Sequence, residues 1–166
     1  MRLKSNVSHG GAGVHSVWIS TKPRVRTSVL TCLERLAEVV NHDVATGRPV
    51  IGIVDDDSSV RTAVGRLVRS HGFAAEVFPS GEELLRSDRL TGFSCLIVDV
   101  AMPGLSGLEL QDRLAADGCP LPIIFITALD DAHIETRALA AGASGFLSKP
   151  FDDEELLAAI RTALGS

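Results

Sequence analysis

Residues 50–56 read VIGIVDD, an apolar run that ends in two carboxylates. The run is too short for a buried helix, rich in β-branched residues and free of polar alternation, as is typical of a strand buried on both faces of a parallel sheet. Two further runs share this character: residues 95–98 precede Asp99, and residues 123–126 precede Thr127. Each of these predicted strands therefore ends at a polar side chain.

Amphipathic stretches separate the apolar runs, with apolar residues at helical spacing. They cover residues 60–68, 105–114, 134–141 and 156–164. This alternation predicts an α/β fold in which right-handed crossovers build a parallel sheet with helices on both faces. Ligand sites of such sheets lie beyond the carboxyl ends of the strands. We therefore expect the polar residues that follow the strands to converge at one edge, namely Asp55, Asp56, Asp99, Thr127 and Lys149.

The converging carboxylates would repel one another and raise each other's pKa unless positive charge lay between them. The Lys149 ammonium and a hard divalent cation are the candidates for that charge. Oxygen ligands without Cys or His favour Mg²⁺, which commonly accepts one or two carboxylates and phosphate oxygens. A carboxylate can also attack phosphorus to form an aspartyl phosphate, and phosphoryl transfer needs mainly positioning and charge neutralisation. The residue types therefore indicate magnesium-dependent phosphoryl chemistry.

Four motifs carry a resemblance to a known family. They are IVDDD (53–57), IVDVAMPGLSG (97–107), IFITA (124–128) and GASGFLSKPF (142–151), and as an ordered set they are highly specific. From about residue 49 to residue 164 the chain resembles the receiver domain of bacterial two-component response regulators. The resemblance implies a flavodoxin-like fold, an open five-stranded parallel sheet of order 2-1-3-4-5 with helices on both faces. The receiver domain would occupy residues 49–166.

The resemblance also implies roles for the residues at the strand ends. Asp99 matches the phospho-acceptor, and Lys149 matches the lysine that binds the phosphate. Asp55 and Asp56 match the acidic pair that organises Mg²⁺. The metal would also contact Asp99 and the backbone carbonyl of Ala101. Many family members carry a polar side chain at position 101, so Ala101 departs from the pattern and offers only its carbonyl.

A switch is implied by two further matches, Thr127 as the switch hydroxyl and Phe146 as the switch aromatic. Phosphorylation would alter a face formed by the helix at 131–141, the strand at 145–147 and the helix from Phe151 onward. A sensor histidine kinase or phosphotransfer protein would donate the phosphoryl group, and a downstream protein or a second copy of the chain would bind the face. Such a regulator promotes only its own phosphorylation and dephosphorylation, so it is not an enzyme in the usual sense.

Composition agrees with a cytoplasmic signalling protein. The net charge is −5; residues 1–47 hold six Lys/Arg and three Asp/Glu, so the remainder carries −8. An acidic body does not favour direct binding to nucleic acid. Cys32, Cys95 and Cys119 are widely spaced and odd in number, which fits a reduced chain. No apolar stretch approaches the roughly 18 residues of a membrane span.

The first 48 residues read as a separate extension. Residues 1–27 lack acids and periodicity, which is typical of a disordered arm, whereas residues 28–40 follow the pattern of one amphipathic helix. The alternative is a start codon assigned too far upstream, with translation beginning near Val39 or Val40. Because the chain stops at Ser166, directly after the last amphipathic stretch, we expect a stand-alone receiver without an attached output domain.

Two other functions are open at this stage. A phosphatase resembling the haloacid dehalogenase superfamily would use Asp55 as its nucleophile, since Asp55-x-Asp57 follows an apolar strand. That family needs a later acidic motif at a strand end, and Asp99 would have no role. A receiver that no longer accepts phosphate would be a pure interaction module, which the intact set of site residues disfavours. Asp57 itself is predicted to cap the helix that begins at Ser58.

Overall fold

The computed structural model describes residues 47–119, 121–129 and 131–165. Strands and helices alternate along these ranges. The strands are β1 (Val50–Val54), β2 (Ala74–Phe78), β3 (Cys95–Asp99), β4 (Ile123–Thr127) and β5 (Gly145–Ser148). The helices are α1 (Ser58–Ser70), α2 (Gly81–Arg86), α3 (Gly107–Ala116), α4 (Ala132–Ala140) and α5 (Asp153–Ala163), and a 3-10 helix covers Leu90–Gly92. The predicted arm and the helix at 28–40 lie outside the described residues.

Five strands in the described part of the chain form one parallel sheet of order β2-β1-β3-β4-β5, which confirms the predicted architecture. Val54, the last residue of β1, lies beside Phe78 of β2 on one side and Val98 of β3 on the other. The strand order therefore reverses at β1, where chain connections leave in opposite directions. This is the place where α/β sheets bind their ligands.

The core consists of two apolar layers, one on each face of the sheet. Ile51 and Ile53 of β1 face the layer that α1 and α5 cover, whereas Val50 and Val54 face the layer that α2, α3 and α4 cover. This alternation follows from the two-residue period of a strand. Because helices cover both faces, β1, β3 and β4 are buried along their whole length. The central strand ends are therefore held rigidly.

The apolar pattern did not locate β2 or α2. β2 is an edge strand, partly exposed along its length, and it carries Glu76 at its centre, so it lacks a continuous apolar run. α2 has six residues, which is too short for a helical period to be visible in the sequence. Both elements form because tertiary packing supplies what the local sequence does not.

The caps set where two of the helices begin. α3 begins at Gly107, because Ser106 is the N-cap and exchanges hydrogen bonds with Glu109 in a capping box. The helix expected from Phe151 begins at Asp153, after the N-cap Asp152.

Gly142 follows the C-cap of α4 with φ +90°, a left-handed conformation that glycine adopts without a steric cost. Of the helices in the described ranges, none has the length and apolar composition to span a membrane.

Gly107 allows α3 to start directly against the end of β3. A Cβ atom at this position would lie 2.4 Å from the carbonyl oxygen of Asp99 and 3.0 Å from Cα of Val100. Because backbone atoms cannot move aside cheaply, we expect Gly107→Ala to lower the free energy of unfolding by about 1–3 kcal/mol in urea denaturation.

Gly145→Ala is the matched control for this change. Its Cβ would meet Ile124 Cγ2 at 3.5 Å, an ordinary van der Waals contact. The control should therefore cost much less stability. An equal loss in the two variants would show that the close approach at Gly107 does not matter.

Candidate functional site

The polar residues predicted at the strand ends gather at the carboxyl edge of the sheet. Asp55 directly follows β1, Asp99 ends β3, Thr127 ends β4 and Lys149 directly follows β5. The Lys149–Pro150 peptide bond is cis. These four residues come from four neighbouring strands, so the sheet order accounts for their proximity.

Three carboxylates form one acidic group at this edge. One oxygen each from Asp55, Asp56 and Asp99 lies within 4.8 Å of the others. Their burial differs: Asp55 is 0% exposed, Asp99 is 5% exposed and Asp56 is exposed. The acidic group therefore has a buried side at Asp55 and a solvent-exposed side at Asp56, from which an ion can approach.

Lys149 is the cation that faces this acidic group. Its Nζ donates to Oδ2 of Asp55 at 2.9 Å and to Oδ1 of Asp99 at 3.3 Å, and its side chain is 20% exposed. Burial by itself lowers the pKa of Lys149, but the hydrogen bond to Asp55 and the charges of Asp99 and Asp55 outweigh this effect and raise it. Lys149 therefore stays protonated and bridges the two buried carboxylates.

One ammonium faces three carboxylates at this edge, and the pKa of the Asp99 carboxyl reflects both burial and these charges. Burial raises the pKa of the Asp99 carboxyl, the Lys149 ammonium opposes the shift, and the negative charges of Asp55 and Asp56 add to it. The net effect is a raised pKa. An additional positive charge at this edge would thus stabilise the ionised carboxylates.

All four polar groups of Asp55 have partners. Its N–H donates to the carbonyl of Phe78 at 3.2 Å, and its Oδ2 accepts from Lys149. Its Oδ1 accepts from the N–H of Asp57 at 2.8 Å, and its carbonyl accepts from Nη1 of Arg61 at 2.6 Å. Asp55 is therefore fixed in place, which suits a residue that orients its neighbours.

Asp57 belongs to the helix rather than to the acidic group. Its Oδ1 accepts from the N–H of Ser59 at 2.7 Å and of Val60 at 3.4 Å, so it is the N-cap of α1, as predicted. These backbone hydrogen bonds lower the pKa of Asp57. The acidic group consists of Asp55, Asp56 and Asp99 and does not include Asp57.

The two predicted switch residues lie on the strands that follow β3 in the sheet order, Thr127 on β4 and Phe146 on β5. Thr127 is fully buried, and its Oγ1 accepts from the N–H of Leu129 at 3.1 Å. Phe146 of β5 lies beside Phe125 of β4 in the register and is half-buried against the core layer of α2, α3 and α4. Ala101 is exposed in the loop between β3 and α3.

Sequence reasoning missed two residues that hold the loops of the site. Arg61 binds the carbonyl of Asp55, as described above, and the carboxylate of Glu82 accepts from the N–H of Leu105 at 2.9 Å. The latter contact ties the loop after Asp99 to α2. Both residues act on backbone groups, which every residue carries, so no sequence motif marks them.

The donor set fits Mg²⁺. The acidic group offers only oxygen atoms, as a hard divalent cation prefers, and it includes an exposed carboxylate that can exchange water for metal. Three carboxylates against one lysine leave net negative charge at this edge, which favours a further cation.

Comparison with curated proteins gives similar chains. Identity is 43% over 122 residues with nodulation protein W of Bradyrhizobium diazoefficiens, covering 74% of this chain and 54% of that protein. It is 46% over 115 residues with response regulator protein TodT of Pseudomonas putida, covering 69% and 51% respectively. The chain thus spans about half the length of these relatives. The stand-alone arrangement stays a prediction.

Solved structures agree with these similarities. The response regulator StyR matches with a TM-score of 0.67 at 44% identity, covering 72% of this chain and 60% of that one. A response regulator receiver protein from Burkholderia phymatum matches with a TM-score of 0.62 at 46% identity, covering 71% and 96%. A family model for the response regulator receiver domain matches residues 51–161. The chain therefore belongs to the response regulator receiver domain family, whose members serve phosphorelay signalling.

Proposed function

We propose that Asp99 accepts a phosphoryl group from a sensor histidine kinase, a phosphotransfer protein or a small donor such as acetyl phosphate. The observation that carries this proposal is the Lys149 ammonium, 3.3 Å from Oδ1 of Asp99. A carboxylate oxygen of Asp99 forms the new bond to phosphorus while the bond from phosphorus to the donor breaks. Lys149 is placed to pair with the negative charge of the transferred group.

Burial and bonding favour Asp99 over Asp55 as the acceptor. Both carboxylate oxygens of Asp55 already accept hydrogen bonds, and its side chain is fully buried. Asp99 has a small exposed fraction, and its carboxylate accepts from Lys149 at one oxygen. Membership of the receiver family also leaves the phosphatase alternative, with Asp55 as nucleophile, without support.

Magnesium is the proposed cofactor. Asp56 and Asp99 would hold the ion directly with the backbone carbonyl of Ala101, and Asp55 would orient the group, in part through water. When bound, Mg²⁺ neutralises the carboxylates and the phosphoryl oxygens. The chain's own residues supply the acceptor, the lysine and the orientation. Since the acceptor is a residue of the chain itself, we class the protein as a phospho-accepting regulator rather than an enzyme.

The proposed output is a change in the face formed by α4, β5 and α5. An aspartyl phosphate brings close to two negative charges and three acceptor oxygens to the sheet edge. Thr127 ends the neighbouring strand and can donate its hydroxyl to one of these oxygens. Its movement would vacate space that Phe146 can enter. A packed core favours two discrete arrangements, and the phosphate would shift the equilibrium between them.

This face is the proposed contact surface for a downstream protein or for a second copy of the chain. Leu139 of α4 is a large apolar side chain that is 46% exposed. A partner that covered it would remove apolar surface from water, which favours binding.

Phosphorylation of Asp99 is tested by labelling with acetyl phosphate and mass spectrometry. We expect one phosphoryl group on wild type in the presence of Mg²⁺, none on Asp99→Asn, and strong suppression by a chelator. Asp88→Asn, which changes an exposed carboxylate of another loop, should label like wild type. Undiminished labelling of Asp99→Asn, or a phosphoryl group mapped to Asp55, would refute the assignment.

The switch is tested by sedimentation and partner pull-down with and without beryllofluoride, a phosphate mimic. Thr127→Ala should retain phosphorylation of Asp99 but lose the change in self-association or partner binding, because the hydroxyl that senses the phosphate is gone. Thr127→Ser should restore the change. Thr62→Ala, which removes an exposed hydroxyl of α1, is the control and should respond like wild type. A full response in Thr127→Ala would rule out this switch.

A further inference from the structure

We propose that Arg61 is a positioning residue for the metal ligands of this site, an inference that rests on the proposed magnesium-dependent function. Arg61 lies one turn inside α1, and its Nη1 donates to the backbone carbonyl of Asp55 at 2.6 Å. The guanidinium is thus hydrogen-bonded to the main chain at Asp55 rather than to a carboxylate. Arg61 would therefore affect metal binding only through the position of the ligands.

The Asp55 carbonyl needs this donor. Asp55 follows the last residue of β1, and the residue is fully buried. A carbonyl in a buried residue that loses its hydrogen-bond donor lowers stability unless it finds another partner. The structure gives Arg61 as the donor, and packing of Val64 and Val68 against the sheet fixes the helix from which Arg61 reaches.

The contact between Arg61 and the Asp55 carbonyl restrains the orientation of the peptide unit that joins Asp55 to Asp56. The carbonyl of Asp55 and the N–H of Asp56 belong to one planar peptide unit, so holding the carbonyl also holds the direction of the next residue. On the other side of Asp56, the N–H of Asp57 donates to Oδ1 of Asp55 at 2.8 Å. Asp56 therefore lies between two peptide units that are both hydrogen-bonded to fixed groups.

This restraint matters because the Asp56 side chain itself is exposed. An exposed carboxylate samples several rotamers, and the backbone decides which of them point toward Asp55 and Asp99. Metal affinity depends on such orientation, since residues that hold a ligand in place commonly contribute ten- to a hundredfold to binding. Removing Arg61 should thus weaken Mg²⁺ binding although every predicted ligand remains.

Arg69 provides a matched control on the same helix. Its Nη2 donates to the backbone carbonyl of Ala75 at 2.8 Å, so the contact is of the same chemical kind. Ala75 lies within the edge strand β2, and the bond is not part of the acidic group. Loss of Arg69 therefore reports the general cost of removing an arginine-to-carbonyl bond from α1.

The experiment is a calorimetric Mg²⁺ titration of the full chain, with urea denaturation of each protein. We expect Arg61→Gln to weaken the Mg²⁺ affinity by about tenfold. Arg61→Lys should fall between wild type and Arg61→Gln, since an ammonium can donate to the same carbonyl. Arg69→Gln should keep the wild-type affinity even where it lowers stability, and Asp56→Ala should lose more affinity than Arg61→Gln.

A second readout separates positioning from a direct role. At saturating Mg²⁺, the rate of labelling by acetyl phosphate in Arg61→Gln should return to that of wild type. Unchanged Mg²⁺ affinity in Arg61→Gln, an equal loss in Arg69→Gln, or a labelling defect that persists at saturating Mg²⁺ would each overturn the inference. Absence of Mg²⁺ binding by wild type would instead refute the proposed magnesium site, so the two failures are distinguishable.

Discussion

The ammonium of Lys149 holds two buried carboxylates together, and the site depends on this contact. Asp55 is 94 residues and Asp99 50 residues away from Lys149 in the sequence. The contact forms because β1, β3, β4 and β5 are consecutive neighbours in the sheet, so all three residues leave the same edge. Without the lysine, burial of the two carboxylates would be strongly unfavourable. The sheet order therefore places the Lys149 ammonium beside the carboxylates of Asp55 and Asp99.

The three acids differ in burial, and the proposed function gives each a different role. Asp55 is fully buried and accepts hydrogen bonds at both carboxylate oxygens, so it would orient the other two. Asp56 is exposed and would meet an ion that arrives from solvent. Asp99 is slightly exposed, burial raises the pKa of its carboxyl, and it would be the phospho-acceptor. Gly107 keeps α3 close enough to preserve this arrangement at the end of β3.

Much of the fold could be predicted from the sequence because the three central strands are buried on both faces and read as apolar runs. β2 could not be predicted from an apolar run, because it is an edge strand and carries Glu76 at its centre. Tertiary packing determines that this segment forms a strand. Positions of the acids and of Lys149 follow directly from the strand ends. Arg61 could not be predicted, because its partner is a backbone carbonyl and the six-residue separation from Asp55 has no distinctive pattern.

Three carboxylates against one ammonium leave net negative charge at the acidic edge, and we propose that a divalent cation relieves it. The most direct measurement is the urea unfolding free energy of wild type and Asp99→Asn, each in chelator and in Mg²⁺. We expect Asp99→Asn to be more stable than wild type in chelator, because it removes a buried charge, and Mg²⁺ to stabilise wild type more than the variant. A variant that is less stable than wild type in chelator, with no differential effect of Mg²⁺, would contradict this charge imbalance.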